Sequence, residues 1–99
     1  MSRQLSRLLV AYDVVDDRRR TRLAKVLESY GDRIQYSVFL VDLTPAQEVR
    51  MRAKVRSVID ERDDSVLFCR LGATKSEGTS RISYLGCRRE ITEDTDFVV

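Results

Sequence analysis

The sequence predicts an α+β fold, a ferredoxin-like βαββαβ two-layer sandwich, and three observations carry that expectation. Short apolar runs suited to strands are interleaved with two stretches of helical periodicity. Each helical stretch opens on residues able to cap it. The strands are apolar on both faces, although two helices can cover only one.

The first strand is expected over residues 8–14, where Leu8, Val10 and Val14 alternate with Leu9 and Ala11. Next, Leu23, Val26, Leu27 and Tyr30 recur at i, i+3, i+4 and i+7, which is one helical stripe. Asp16 or Asp17 can cap its start, and Gly31 stands just past its end. Arg18, Arg22 and Lys25 fall away from the stripe or at its edge, where a solvated face is the ordinary role.

Residues 34–41 read as one strand, with Ile34, Val38 and Leu40 opposing Phe39, Val41 and, just beyond, Leu43. Thr44-Pro45-Ala46-Gln47 is a capping-box helix start with proline at the first helical position. The second helix carries Met51, Val55, Val58 and Ile59 as its stripe, with Arg50, Arg52, Lys54 and Arg56 spread around the rest. The charged run 60–64 closes it. A strand is expected over 65–71, a glycine-, serine- and threonine-rich loop over 72–81 and a short strand over 82–86. Asp96-Phe97-Val98-Val99 is a residual apolar tail.

Apolar residues on both faces have a consequence. A contiguous apolar surface left in water is something soluble monomers avoid, so a homodimer packed through its sheets is expected. The competing idea, a tail folded back over its own sheet, has too few residues to work.

The 99 residues fit one domain, with 82–99 as its C-terminal strands and tail, and such a chain buries roughly two-thirds of its unfolded surface. Net charge is only +2, yet 15 of the 18 basic residues are arginine. Arginine suits planar phosphate contacts and is also an ordinary surface residue, so composition leaves both roles open. There is no histidine, and Cys69 and Cys87 lack metal-ligand spacing. A structural zinc site and a histidine base are thereby excluded. Cys69, inside an apolar run, is expected in the core; Cys87 is unassigned. No stretch suits a signal peptide or a membrane span, so a cytoplasmic protein with reduced thiols is expected.

The chemistry gathers after the first strand. Asp13 ends it, and Arg18-Arg19-Arg20-Thr21-Arg22 opens the helix that follows. A carboxylate at a strand end can hold a hard divalent cation, and guanidiniums can hold phosphate oxygens bidentately. Phosphodiester chemistry or phosphate recognition follows. The plainer alternative for Asp13 is a local cap or a salt bridge to Arg18 or Arg20. Tyr12 alternates with Asp13 and so faces the other side of the sheet. For Arg33 the plain role is a strand-edge charge, and for Phe39 it is packing.

Tyr12-Asp13-Val14, the arginine-rich helix start and the run from Tyr30-Gly31-Asp32-Arg33-Ile34-Gln35 through Tyr36-Ser37-Val38-Phe39 together resemble the CRISPR-associated protein two family. The likeness covers residues 8–71. It implies a homodimer of ferredoxin-like protomers, each chain end adding an exchanged strand beside its partner. It also implies that Asp13 meets its twin across the dimer axis as catalytic residue and ligand for Mg2+ (or Mn2+). Arg20, Arg22, Arg33 and Phe39 match the family's active-site surroundings; with Arg18, the arginines are the candidate nucleic-acid contacts, and Tyr12 and Phe39 the packing beside the site. The resemblance further implies a role in integrating spacer DNA with a CRISPR-associated integrase. Within that role the protein is either a metal-dependent endonuclease on single-stranded RNA or duplex DNA, or a non-catalytic scaffold for duplex DNA. A small toxin-type ribonuclease or a ligand-sensing module of the same fold is the alternative from outside the family. Residues 72–91 match no family pattern, and Phe97-Val98-Val99 fits the exchanged strand only in hydrophobicity.

Overall fold

Alternation along one strand sets the architecture. A computed structural model describes residues 4–74 and 82–87, with strands β1 (Ser6–Asp13), β2 (Gly31–Gln35), β3 (Val38–Leu43) and β4 (Ser65–Ala73) and helices α1 (Asp17–Glu28) and α2 (Pro45–Val58). The order is βαββαβ, and the strands form one antiparallel sheet in the order β2-β3-β1-β4. Leu8, Val10 and Tyr12 of β1, with Val14 just beyond it, lie buried beneath the helices beside Phe39, Val41 and Leu43 of β3. Leu23, Ala24 and Leu27 of α1 and Met51 and Val55 of α2 complete that core. The period-2 and period-3.6 stripes meet in one layer, the arrangement the sequence predicts.

The caps hold as expected. Asp16 accepts the Arg19 N–H at 2.9 Å, and Thr44 and Gln47 form a reciprocal capping box at 3.2 and 2.8 Å. Asp17 is the first helical residue rather than the cap.

Five expectations change. Residues 34–41 are not one strand but the hairpin of β2 and β3, turning at Tyr36 and Ser37. The turn lacks glycine, asparagine and proline, so nothing in it interrupts the alternation of a single strand. This split supplies the second central strand that the βαββαβ order requires. Gly31 does not cap α1, whose cap is Ser29; it opens β2 instead. There a Cβ would collide with the Leu40 carbonyl oxygen and lie 2.8 Å from Val41 Cα, so only glycine allows that approach. Gly72 and Ala73 belong to β4, which is longer than the sequence suggests, while residues 75–81 of the expected loop lie outside the described residues. Residues 82–87 carry no strand. Cys69 is exposed rather than in the core, because β4 alternates and Cys69 stands opposite Leu9 on the side without helices. The exchanged strand falls among residues 88–99, outside the described residues.

The side of the sheet without helices, on which no other element packs among the described residues, carries Leu9 and Ala11 of β1, Val38 and Leu40 of β3, and Leu67 and Cys69 of β4, paired across the ladders. At one end Arg7 grips Asp42 through two bonds of 2.7 and 2.8 Å. At the other end stand Asp13 and Ser65.

Candidate functional site

Asp13 is the last residue of β1 and is exposed on the uncovered face, with neither a hydrogen bond nor an ion pair among the described residues. It is neither the cap nor the salt-bridge partner that the plainer reading would make it. Asp16 takes the cap, and Arg20 is engaged elsewhere.

The next residue back points the other way. Tyr12 is buried against Phe39, ring centroids 6.4 Å apart and planes 28° from parallel. Arg33 on β2 lies against this stack: its Nη2 donates to the Tyr12 hydroxyl at 3.5 Å, and its guanidinium sits 5.3 Å from the Phe39 centroid and 5.6 Å from that of Tyr36. Arg33 Nε is buried with no acceptor among the described residues, so ring faces stand in for part of the solvation it lost. The structure therefore brings Tyr12, Arg33 and Phe39 together on the helix side. It puts Asp13 on the opposite side of the same sheet.

The arginines at the start of α1 divide in the same manner. Arg20 donates to the Val14 carbonyl at 2.7 Å and pairs with Asp17, and the Tyr36 hydroxyl is near enough to act on its charge. Desolvation works against that charge, but Asp17 and the Tyr36 hydroxyl outweigh it and raise the pKa. Arg20 is thus a fastener for the β1–α1 junction. Arg18 and Arg22 are exposed, have no partner among the described residues and stand one turn apart on α1. They are free to meet phosphates.

One pair has no counterpart in the sequence reading. Arg19 donates to Asp64 at 2.7 and 3.2 Å, and the Asp64 side chain is 0% exposed. Asp64 also accepts the Asp60 N–H at 2.8 Å and a bond from the Val15 backbone. The Arg19 guanidinium first, then the Asp60 N–H, hold its pKa below the usual carboxylate range against the cost of burial. The pair ties the loop before β4 to the first turn of α1. The only signal for it in the sequence is one carboxylate within a run of charges.

Among the described residues no three histidine, cysteine, aspartate or glutamate side chains converge. A hard cation that keeps several waters needs only one or two carboxylates, and the exposed Asp13 side chain is of that kind.

Fold and site together define a βαββαβ sandwich with an acidic strand end on an uncovered apolar sheet and a basic helix start beside it. The sequence model of CRISPR associated protein Cas2 matches residues 6–78. A CRISPR-associated endoribonuclease Cas2 of Thermus thermophilus is 41% identical over 91 residues, covering 92% of this chain and 95% of the relative. The crystal structure of Streptococcus pyogenes Cas2 at pH 6.5 superposes with a TM-score of 0.71 at 38% identity, over 81% of this chain and 99% of that one. A chain of a partial Cas6-RT-Cas1–Cas2 complex gives 0.66 at 27% identity, over 89% and 98%. The chain belongs to the CRISPR-associated Cas2 family.

Proposed function

We propose that this protein acts in CRISPR adaptation as a homodimer, partnered by a CRISPR-associated integrase, and that its nucleic-acid chemistry centres on Asp13. One observation carries the reading: the unpaired Asp13 carboxylate stands on the same face as the uncovered stripe of Leu9, Ala11, Val38, Leu40 and Leu67. Closing two such faces removes apolar surface from water and brings two carboxylates into one assembly. The integrase partnership is supported by the likeness to a chain of a complex that contains Cas1. Endonuclease activity is supported by relatives named endoribonucleases.

In this reading Asp13 from each copy holds Mg2+ or Mn2+. When bound, the ion supplies charge stabilisation for a phosphodiester and activation of water, which suits a chain without histidine. Arg18 and Arg22 bind backbone phosphates of duplex DNA or single-stranded RNA. Arg20 and Arg33 keep the junction and the hairpin in place. Tyr12 and Phe39 pack behind them.

The test is cleavage and binding of labelled duplex DNA and single-stranded RNA, with and without Mg2+, by wild type and Asp13→Ala. Cutting that requires Mg2+ and vanishes in Asp13→Ala, with binding retained, is the expected result. Equal cutting by both proteins would remove the catalytic role from Asp13. A second reading, a non-catalytic scaffold for duplex DNA, is favoured by one observation: among the described residues Arg18 and Arg22 are unpartnered, whereas no three potential metal-ligating side chains converge. It predicts duplex affinity that falls steeply with salt and is indifferent to Asp13→Ala.

A further inference from the structure

The β2–β3 turn presents an aromatic ring that the packing of this fold does not require. Tyr36 is 67% exposed, yet cations flank it: the Arg33 guanidinium lies 5.6 Å from its ring centroid, and its hydroxyl is near enough to Arg20 to act on that guanidinium's charge. Those arginines are themselves fixed, Arg33 against Tyr12 and Phe39, Arg20 on the Val14 carbonyl and Asp17. The turn is joined to the end of β1 by the Tyr12 N–H donating to the Ser37 carbonyl at 3.1 Å. A large apolar ring is therefore kept in water, flanked by two cations, next to the strand end that carries Asp13. An exposed side chain with no such supports would sample several rotamers, and binding would have to freeze it; here that cost is already met by the fold.

We infer that Tyr36 is a stacking platform for an unpaired nucleobase, with Arg20 and Arg33 supplying positive charge around it. The inference rests on the reading that this chain binds nucleic acid and narrows the ligand to an unpaired nucleotide. A base inside a duplex is stacked on its neighbours and has no free face to offer, whereas a base in a single strand has two. Aromatic–base stacking tolerates sequence because every base has a π-face, and cations beside the ring strengthen it. The shared chemistry is an unpaired base on a phosphate backbone, so DNA and RNA are separate arms of the test.

The experiment measures binding of labelled oligothymidine, oligouridine and a blunt duplex of equal length to the full chain at several salt concentrations. Wild type is compared with Tyr36→Leu, Tyr36→Trp and Arg22→Ala. Tyr36→Leu is expected to weaken single-strand binding about fivefold or more, the low end for losing one base stack. Tyr36→Trp should bind at least as well as wild type. Neither should alter the dependence of affinity on salt, because no cation is removed, whereas Arg22→Ala should flatten it by roughly 0.7 for one lost single-strand phosphate contact. A larger loss with oligothymidine or with oligouridine names the preferred strand, DNA or RNA, once oligodeoxyuridine has separated the effect of the sugar from that of the thymine methyl. Single-strand affinity unchanged in Tyr36→Leu overturns the site, as does an equal loss on duplex and single strands. If wild type binds none of the three probes, the nucleic-acid reading itself falls and the platform falls with it.

Discussion

The two faces of this sheet are built from the same strands and differ in almost every physical respect. On the helix side, alternate residues of β1 and β3 vanish into the core: Leu8, Val10, Phe39 and Val41 are essentially inaccessible to water. On the other side, their neighbours Leu9, Ala11, Val38 and Leu40 are only half-buried, and Leu67 of β4 is 56% exposed. Apolar residue type alone therefore does not mark the core. Position relative to two helices does, and among the described residues only one of the two apolar faces of the sheet has a helical layer over it. The unpaired acid belongs to the face without helices and the aromatic–arginine stack to the other.

The contrast can be broken most severely from the covered side. Phe39→Ala removes a fully buried ring and is expected to cost about 3–5 kcal/mol in denaturant unfolding. A cost below about 1 kcal/mol would mean that the helical layer does not hold β3 as described. Gly31→Ala follows: its Cβ meets β3 backbone, which cannot swing aside as a side chain would, so a loss of about 1–3 kcal/mol is expected. Thr44→Ala should cost about 1 kcal/mol by deleting one half of the capping box.

Asp64 sharpens the comparison through pH. Its pKa is depressed in the folded state, so the unfolded chain takes up the proton first as pH falls. The stabilisation it gives is whole above the ordinary carboxylate value of about 3.9 and is lost as pH drops through the lower, folded value. Below pH about 4, wild type should lose thermal stability more steeply than Asp64→Asn. Parallel melting curves would show that the Arg19 contact carries no such linkage. The smallest effect on the single chain belongs to the open face. Leu67→Glu should change the stability of dilute protein by no more than about 0.5 kcal/mol. If the proposed dimer forms, the unfolding midpoint of wild type rises with protein concentration, and Leu67→Glu should abolish that rise. A midpoint independent of concentration in wild type would remove the dimer from the proposed function.

Much of this is legible in the sequence, for physical reasons. Both helices announce themselves by period and cap, and the faces of β1 by simple alternation, which sets Tyr12 and Asp13 on opposite sides. The hairpin is hidden because Gln35, Tyr36 and Ser37 fit the alternation of a single strand and include no glycine, asparagine or proline to demand a turn. Cys69 defeats the same logic, since an apolar stretch suggests burial throughout, when only every second residue of β4 meets the helices. The position of Gly31 after a helix suggests a cap, but what matters there is the approach of β3, which no local pattern records. Asp64 cannot be told from Asp60, Asp63 and its other neighbours, because burial of one acid among several is decided by the distant Arg19. Of the candidate site residues, alternation places Asp13, Tyr12 and Phe39. That Arg20 is spent on the backbone while Arg18 and Arg22 stay free is a tertiary fact.

The clasp between Arg7 and Asp42 leaves the end of the sheet face far from Asp13 without net charge. Ions that already neutralise each other inside one molecule can be covered without recruiting any counter-ion from the medium. Cutting that clasp on one side, as in Asp42→Asn, would leave a lone guanidinium at the rim, and pairing of two molecules would then have to carry an anion in with it. If the parent protein pairs as proposed, that pairing should be indifferent to chloride, and in the variant it should come to depend on it.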